Sequence, residues 1–111
     1  MSKYHSKKTE VDGIVFDSRA ESTRYIELKL MERAGRISNL ELQPTYELIP
    51  KYVRNGKTIR KTVYRADFKY YDNELEKTII EDVKGFETKE YKLKKKLFEY
   101  LNPDLEIVEI K

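Results

Sequence analysis

Two aspartates, a lysine and a glutamate carry the most chemical potential in this sequence. The stretch Tyr64 to Gly85, YRADFKYYDNELEKTIIEDVKG, holds Asp67 in its first half and Asp82-Val83-Lys84 in its second. Both halves are β-prone and the patch Asp72 to Glu76 between them is turn-prone, so the stretch reads as a hairpin. Side chains alternate across a strand, which puts Asp82 and Lys84 on one face and Glu81 and Val83 on the other. Asp67 and Asp82 lie at similar distances from the turn, so two carboxylates meet at one end of the sheet beside a lysine. Carboxylates so placed can hold a hard divalent cation, Mg²⁺ with Mn²⁺ as its substitute, and the Val83 carbonyl adds an oxygen. Glu21, from a helix upstream, completes the set of ligands. Such a site suits phosphodiester hydrolysis. The cation offsets charge at phosphorus, and Lys84 orients or helps deprotonate the attacking water. Gly85, just past the strand, lets a bulky phosphodiester approach the backbone.

These residues need elements to position them. Asp12-Gly13 within Thr9 to Phe16 signals a small hairpin. Ser18 to about Ala34 predicts a helix with Ser18 as N-cap and a broad stripe of Ala20, Tyr25, Ile26, Leu28, Leu30, Met31 and Ala34, stopped by Gly35. Ser18 and Glu21 also have the spacing of a capping box, so Glu21 is either a metal ligand or a helix cap. Downstream the pattern predicts a meander of three long antiparallel strands, about Thr45 to Val53, Thr58 to Tyr71 and Lys77 to Lys84. Leu40 and its neighbours open the first, Pro44 marks an edge or bulge, and Asn55-Gly56 makes a tight turn. Glu87 to Leu101 predicts a second helix with Tyr91, Leu93, Leu97, Phe98 and Leu101 apolar, ended by Asn102-Pro103. Leu105 to Lys111 closes as a strand parallel to Ile79–Lys84. The expected class is α/β with a mixed α+β sheet, in the order helix, three antiparallel strands, helix, strand.

With 111 residues, 39% of them hydrophobic and 39% charged, the chain is expected to form one soluble domain, 1–111, with a basic arm over 1–8. No cysteine is present, so disulfides and thiolate zinc sites are excluded, and the only histidine, His5, sits in the arm. Triads and multi-imidazole metal sites are therefore excluded too. No apolar run approaches a membrane span or a signal-peptide core, so a cytoplasmic location is expected. The net charge of +3 is modest, but it is segregated. Lys51, Arg54, Lys57, Arg60, Lys61 and Arg65 have no acid among them, and Lys89, Lys92, Lys94, Lys95 and Lys96 crowd the second helix. As an ensemble flanking a carboxylate site, these segments suit a phosphate backbone; singly, each is an ordinary solvated cation. Tyr64, Tyr70, Tyr71 and Tyr91 either stack on bases or pack the strands.

The order of elements and the spacing of Asp67, Asp82 and Lys84 resemble the PD-(D/E)XK nuclease superfamily, with its restriction-endonuclease-like core. More narrowly, FDSRAESTRYIELKLMERAG, LELQPTYEL, YRADFKYY and EDVKGFETKEYKLKKKLFE resemble a small phage-encoded family of initially unknown function. That family is similar to Holliday-junction-resolvase and TnsA-type nuclease domains. The resemblance spans nearly the whole chain. It implies Glu21 as the helical acid, Asp67 as the metal aspartate, Asp82 as the variable acid and Lys84 as the lysine, with Gln43 as a possible accessory. Ala66 stands where the motif has proline. The activity implied is that of a Mg²⁺-dependent DNA endonuclease acting on branched or structured DNA in the host cytoplasm. Symmetric cutting of two strands would require a homodimer. The alternative is a non-catalytic nucleic-acid-binding accessory of recombination or replication on the same fold.

Overall fold

The computed structural model describes residues 8–84 and 87–111; His5, Gly85 and all of the basic arm except Lys8 lie outside the described residues. The chain opens with strands β1 (Thr9–Val11) and β2 (Ile14–Phe16), paired antiparallel. Between them Asp12 and Gly13 adopt φ of 54° and 77°, the left-handed pair that a two-residue type I′ turn requires.

Helix α1 (Arg19–Arg33) begins where the Ser18 hydroxyl accepts the Glu21 backbone N–H at 3.1 Å. It ends in a Schellman arrangement. Gly35 takes φ 79° and donates to the Glu32 carbonyl, while Arg36 donates to the Met31 carbonyl at 2.9 Å. The helix buries Tyr25 and Leu28, whereas Ile26 and Leu30 of the predicted stripe are exposed. The apolar stripe is therefore narrower than expected.

The central sheet has four strands in the order β10-β9-β8-β3: β3 (Ile37–Leu42), β8 (Phe68–Asp72), β9 (Lys77–Val83) and β10 (Ile107–Ile110). β3/β8 and β8/β9 are antiparallel, and β9/β10 is parallel. The predicted succession of helix, three antiparallel strands, helix and parallel strand is thus present, but with different membership. The first sheet strand is Ile37–Leu42, upstream of the run Thr45 to Val53. That run instead supplies β4 (Thr45–Ile49), paired with β7 (Thr62–Arg65), and β5 (Tyr52–Arg54), paired with β6 (Lys57–Ile59).

The predicted long strands break for local reasons. Gln43 adopts φ 50°, and Pro44 and Pro50 have no N–H to give a ladder. Across the first break the Gln43 N–H donates to the Asp67 carbonyl at 2.9 Å and the Ala66 N–H to the Pro44 carbonyl at 3.1 Å. Both chains therefore leave the sheet together and continue as a ribbon. Asn55 and Gly56, at φ 52° and 74°, turn its tip as predicted.

The sheet carries a core on each face. Phe16, Tyr25, Leu28, Ile37, Phe68, Tyr70 and Ile79 pack on the α1 side. Leu48, Tyr64, Ala66, Ile80, Tyr91, Phe98 and Ile107 pack on the other, under helix α2 (Lys89–Leu101). Helix α2 starts two residues later than expected because Thr88 is its N-cap, accepting the Tyr91 N–H at 3.0 Å. Tyr91 and Phe98 are its buried anchors, while Leu93 and Leu101, expected in the core, are 66% and 46% exposed. Successive β9 residues serve different cores: Ile79, Glu81 and Val83 face α1, and Ile80 and Asp82 face α2.

Candidate active site

Asp67 and Asp82 are brought together by the β8/β9 register. Phe68 pairs with Glu81, and the Asp67 N–H donates to the Glu81 carbonyl at 3.0 Å, which sets Asp67 beside Asp82. The Asp67 carboxyl is fixed by the Val83 N–H, which donates to its Oδ2 at 2.7 Å. Asp82 is 2% exposed. Its Oδ2 accepts the Tyr64 hydroxyl, and its Oδ1 lies 3.2 Å from Lys84 Nζ. That ammonium sits 4.1 Å from the centre of the Tyr91 ring, a cation–π contact. The Tyr91 hydroxyl in turn donates to Glu109 Oε2 at 2.8 Å, which also takes Lys95 at 3.2 Å. Asp82 and Lys84 are thus held on the α2 side by tyrosines from two other elements.

The electrostatics are those of crowded acids. Burial, opposed by the Val83 N–H and reinforced by the charges of Glu21 and Asp82, pushes the Asp67 carboxyl up to about 7. Asp82 lies close enough for its charge to act on Asp67. Burial and the neighbouring acids thus favour the protonated form of Asp67. Glu21 is raised as well, by burial first and by the charge of Asp17, against the pull of the Asp17 backbone N–H and of Lys84. Burial and their carboxylate acceptors push the Tyr64 and Tyr91 hydroxyls far up, so both remain proton donors.

Glu81 is adjacent to Asp82 in sequence and separate from it in chemistry. Arg24 of α1 clamps it with Nε on Oε1 at 2.8 Å and Nη2 on Oε2 at 2.6 Å, and the Tyr70 hydroxyl donates to the same Oε2. Strand alternation points it away from Lys84, as the sequence implied.

The donor chemistry fits a hard cation at the Asp67–Asp82 pair, where a positive charge would relieve the crowding of acids that raises Asp67. Among the described residues no three carboxylate or imidazole side chains gather into one metal-holding group. Glu21 stands within electrostatic reach of Asp67, Asp82 and Lys84. Its backbone N–H serves the Ser18 cap. Two protein carboxylates leave room for the waters and substrate oxygens that Mg²⁺ prefers. Gln43 contributes through its backbone bond to Asp67; its side chain is exposed.

The predicted basic residues divide into two groups. Lys51, Arg54, Lys57, Arg60, Lys61 and Arg65 are exposed along the ribbon, and none forms an ion pair among the described residues. On α2, Lys94 pairs with Glu90 and Lys95 with Glu109, each at 3.2 Å, while Lys89, Lys92 and Lys96 are exposed. A cleft of about 330 Å³ between β7 and the start of α2, lined by Tyr64, Arg65, Thr88, Tyr91 and Lys94 among others, adjoins the Asp82–Lys84 pair. Sequence reasoning missed Tyr64 and Tyr91 as partners of the site, and Arg24 and Glu109 altogether. Strand parity with the right register would have put Tyr70 beside Glu81; nothing local announces the contacts made across elements.

The fold and site define a mixed α+β protein with two helices, a mostly antiparallel sheet and a buried and a half-buried acid beside a lysine. The chain belongs to the family described as "Protein of unknown function (DUF1064)", whose family model matches residues 1–111. Searches of curated proteins and of solved structures returned no match. No helix among the described residues is long and apolar enough to cross a membrane.

Proposed function

We propose that the protein is a metal-dependent endodeoxyribonuclease with a restriction-endonuclease-like core, acting on branched or structured DNA. The observation that carries this reading is the β8/β9 register that sets Asp67 beside Asp82, with Lys84 Nζ 3.2 Å from Asp82 Oδ1, at one end of the hairpin. The succession of α1, three antiparallel strands, α2 and a parallel strand supports it. Asp67, Asp82 and the Val83 carbonyl would hold Mg²⁺ or Mn²⁺, with Glu21 close by. When bound, the cation supplies charge neutralisation at the phosphate and a more acidic water. The Val83 N–H and the Tyr64 hydroxyl keep the two aspartates aimed, and Lys84 sits where it can orient the attacking water and offset phosphate charge. Helix α2 locks Lys84 through the Tyr91 ring. A homodimer supplies the second site needed for symmetric cutting.

Asp67→Asn and Lys84→Ala are each expected to lower cleavage by at least ~100-fold while DNA still shifts in gels. The assay is Mg²⁺-dependent cleavage of duplex, flapped and four-way-junction DNA, with EDTA as control. Retained metal-dependent cutting in both purified variants would sink the assignment. A second reading, a non-catalytic nucleic-acid-binding module, is favoured by one observation: the six exposed cations from Lys51 to Arg65, unpaired among the described residues, suit a phosphate backbone whether or not the acids hold a metal. A salt-sensitive shift of all these DNAs with no cleavage in either Mg²⁺ or Mn²⁺ would select it.

A further inference from the structure

We propose that the ribbon tip formed by β5 and β6 is an arm that enters the major groove of duplex DNA about one helical turn from the carboxylate site. The identity of the polymer rests on the DNA reading above; the docking mode rests on the ribbon itself.

No residue from Ile49 to Lys61 is buried. The tip therefore contributes nothing to either core and projects from the body. The radius of gyration is 16.1 Å, against roughly 13 Å for a compact chain of this length, and the long axis measures 53 Å. A free two-stranded hairpin is marginal in water, so an exposed ribbon calls for a partner. The side chains say what kind. Tyr52 pairs with Ile59 and Arg54 with Lys57, so one face bears an apolar pair followed by a cation pair at the turn. Val53 pairs with Thr58 on the other face and is 66% exposed. From Lys51 to Ala66 there are six cations and no acid. Charge complementarity favours a polyanion over a second copy of this chain, which is itself net positive at +3.

Shape narrows the polyanion. The major groove of B-DNA, about 12 Å wide, admits a two-stranded ribbon, whereas the deep, narrow major groove of A-form RNA does not. Inside the groove the apolar face meets thymine methyls, and the flanking Lys and Arg reach phosphates on both walls. Reach fixes the distance. The eleven residue steps from Gly56 to Asp67 span at most about 36 Å, close to one B-DNA turn of about 34 Å. Arg60 and Lys61, between β6 and β7, belong to neither strand, so the reach stays below that limit.

The test is a dimethyl sulfate footprint in EDTA, where cutting plays no part. The probes are a four-way junction with arms of roughly two helical turns each and a linear duplex of the same length. Wild-type protein is expected to protect guanine N7, a major-groove atom, about one turn from the junction centre or from the mapped cleavage site. The double variant Arg54→Glu/Lys57→Glu should lose that protection and reduce the slope of log affinity against log salt by about two. A second variant joining Pro50 to Thr62 through two glycines should lose it as well and guards against misfolding of the first. Circular dichroism would check that both remain folded. Binding without N7 protection, or protection unchanged in both variants, would overturn the arm while leaving the nuclease reading intact. A wild-type dimer in sedimentation that becomes monomeric in the shortened variant, with N7 unprotected throughout, would reassign the ribbon to self-association and overturn the proposal. Groove protection together with no cleavage in Mg²⁺ or Mn²⁺ would uphold the arm and remove the catalytic reading.

Discussion

Asp67→Asn should stabilise the metal-free protein at the same time as it removes activity. Asp67 titrates near 7 in the folded chain against 3.8 for the ordinary group, chiefly because it is buried and faces other acids. The folded state therefore favours the protonated carboxyl. Its penalty is absent below about pH 4, grows as pH rises, and is fully expressed above about pH 7. A rise of roughly three pH units corresponds to about 4 kcal/mol as an upper limit. Partial solvent access reduces the recoverable part to about half, or about 2 kcal/mol. Asparagine keeps an oxygen for the Val83 N–H and carries no charge to desolvate, so the replacement has little penalty of its own. For 111 residues, 2 kcal/mol raises the melting temperature by roughly 8 °C. Thermal and urea melts of both proteins in EDTA, from about pH 4 to pH 8, should show curves that coincide in acid and separate as pH rises. Added Mg²⁺ should stabilise the wild type at pH 8 and leave the variant nearly unmoved. A variant equal to or less stable than the wild type across this range would refute the crowding of acids at the site.

Two further outcomes follow from the packing. Arg24→Met should cost about 3 kcal/mol in urea melts, because Glu81, 1% exposed, keeps only the Tyr70 hydroxyl; the double variant Arg24→Met/Glu81→Leu should recover most of that loss. Phe98→Ala should cost about 3–5 kcal/mol, since Phe98 is fully buried with its ring centre 4.8 Å from Tyr46 and 5.4 Å from Tyr64. It should also lower cleavage by loosening the tyrosine that holds Asp82, a loss visible at temperatures where the variant is still folded.

The hairpin of Asp67 and Asp82-Val83-Lys84 was legible because period-two alternation and a turn-prone patch are both local properties. Asp72 even fixes that turn, its Oδ1 accepting the N–H groups of Glu74 and Leu75 at 2.9 Å each. The caps at Ser18, Gly35 and Asn102 were legible for the same reason. Strand membership was not. Thr45–Ile49 is the more β-prone run, yet Ile37–Leu42 stays in the sheet, and the chain leaves it at Gln43, with its left-handed φ, and Pro44, which has no N–H. Leu93 and Leu101 were misplaced because helical periodicity shows which residues share a face, whereas the neighbours that cover that face come from elsewhere in the chain. Tyr64 and Tyr91 lie 18 residues each from the acids they serve, Asp82 and Glu109, so no window of sequence could connect them.

Glu81 and Asp82 make β9 intolerant of a change in spelling length. Adding or deleting one residue in the turn 73–76 would bring Glu81 to the face where Tyr64 waits, turn Lys84 away from it, and leave Arg24 opposite an aspartate one methylene too short to reach it in the same way. Neither face could accept its new occupant. The Asn55-Gly56 turn has no such constraint, because both sides of the ribbon are open to solvent. Natural variation in chain length should therefore gather at the ribbon tip and avoid the turn between β8 and β9.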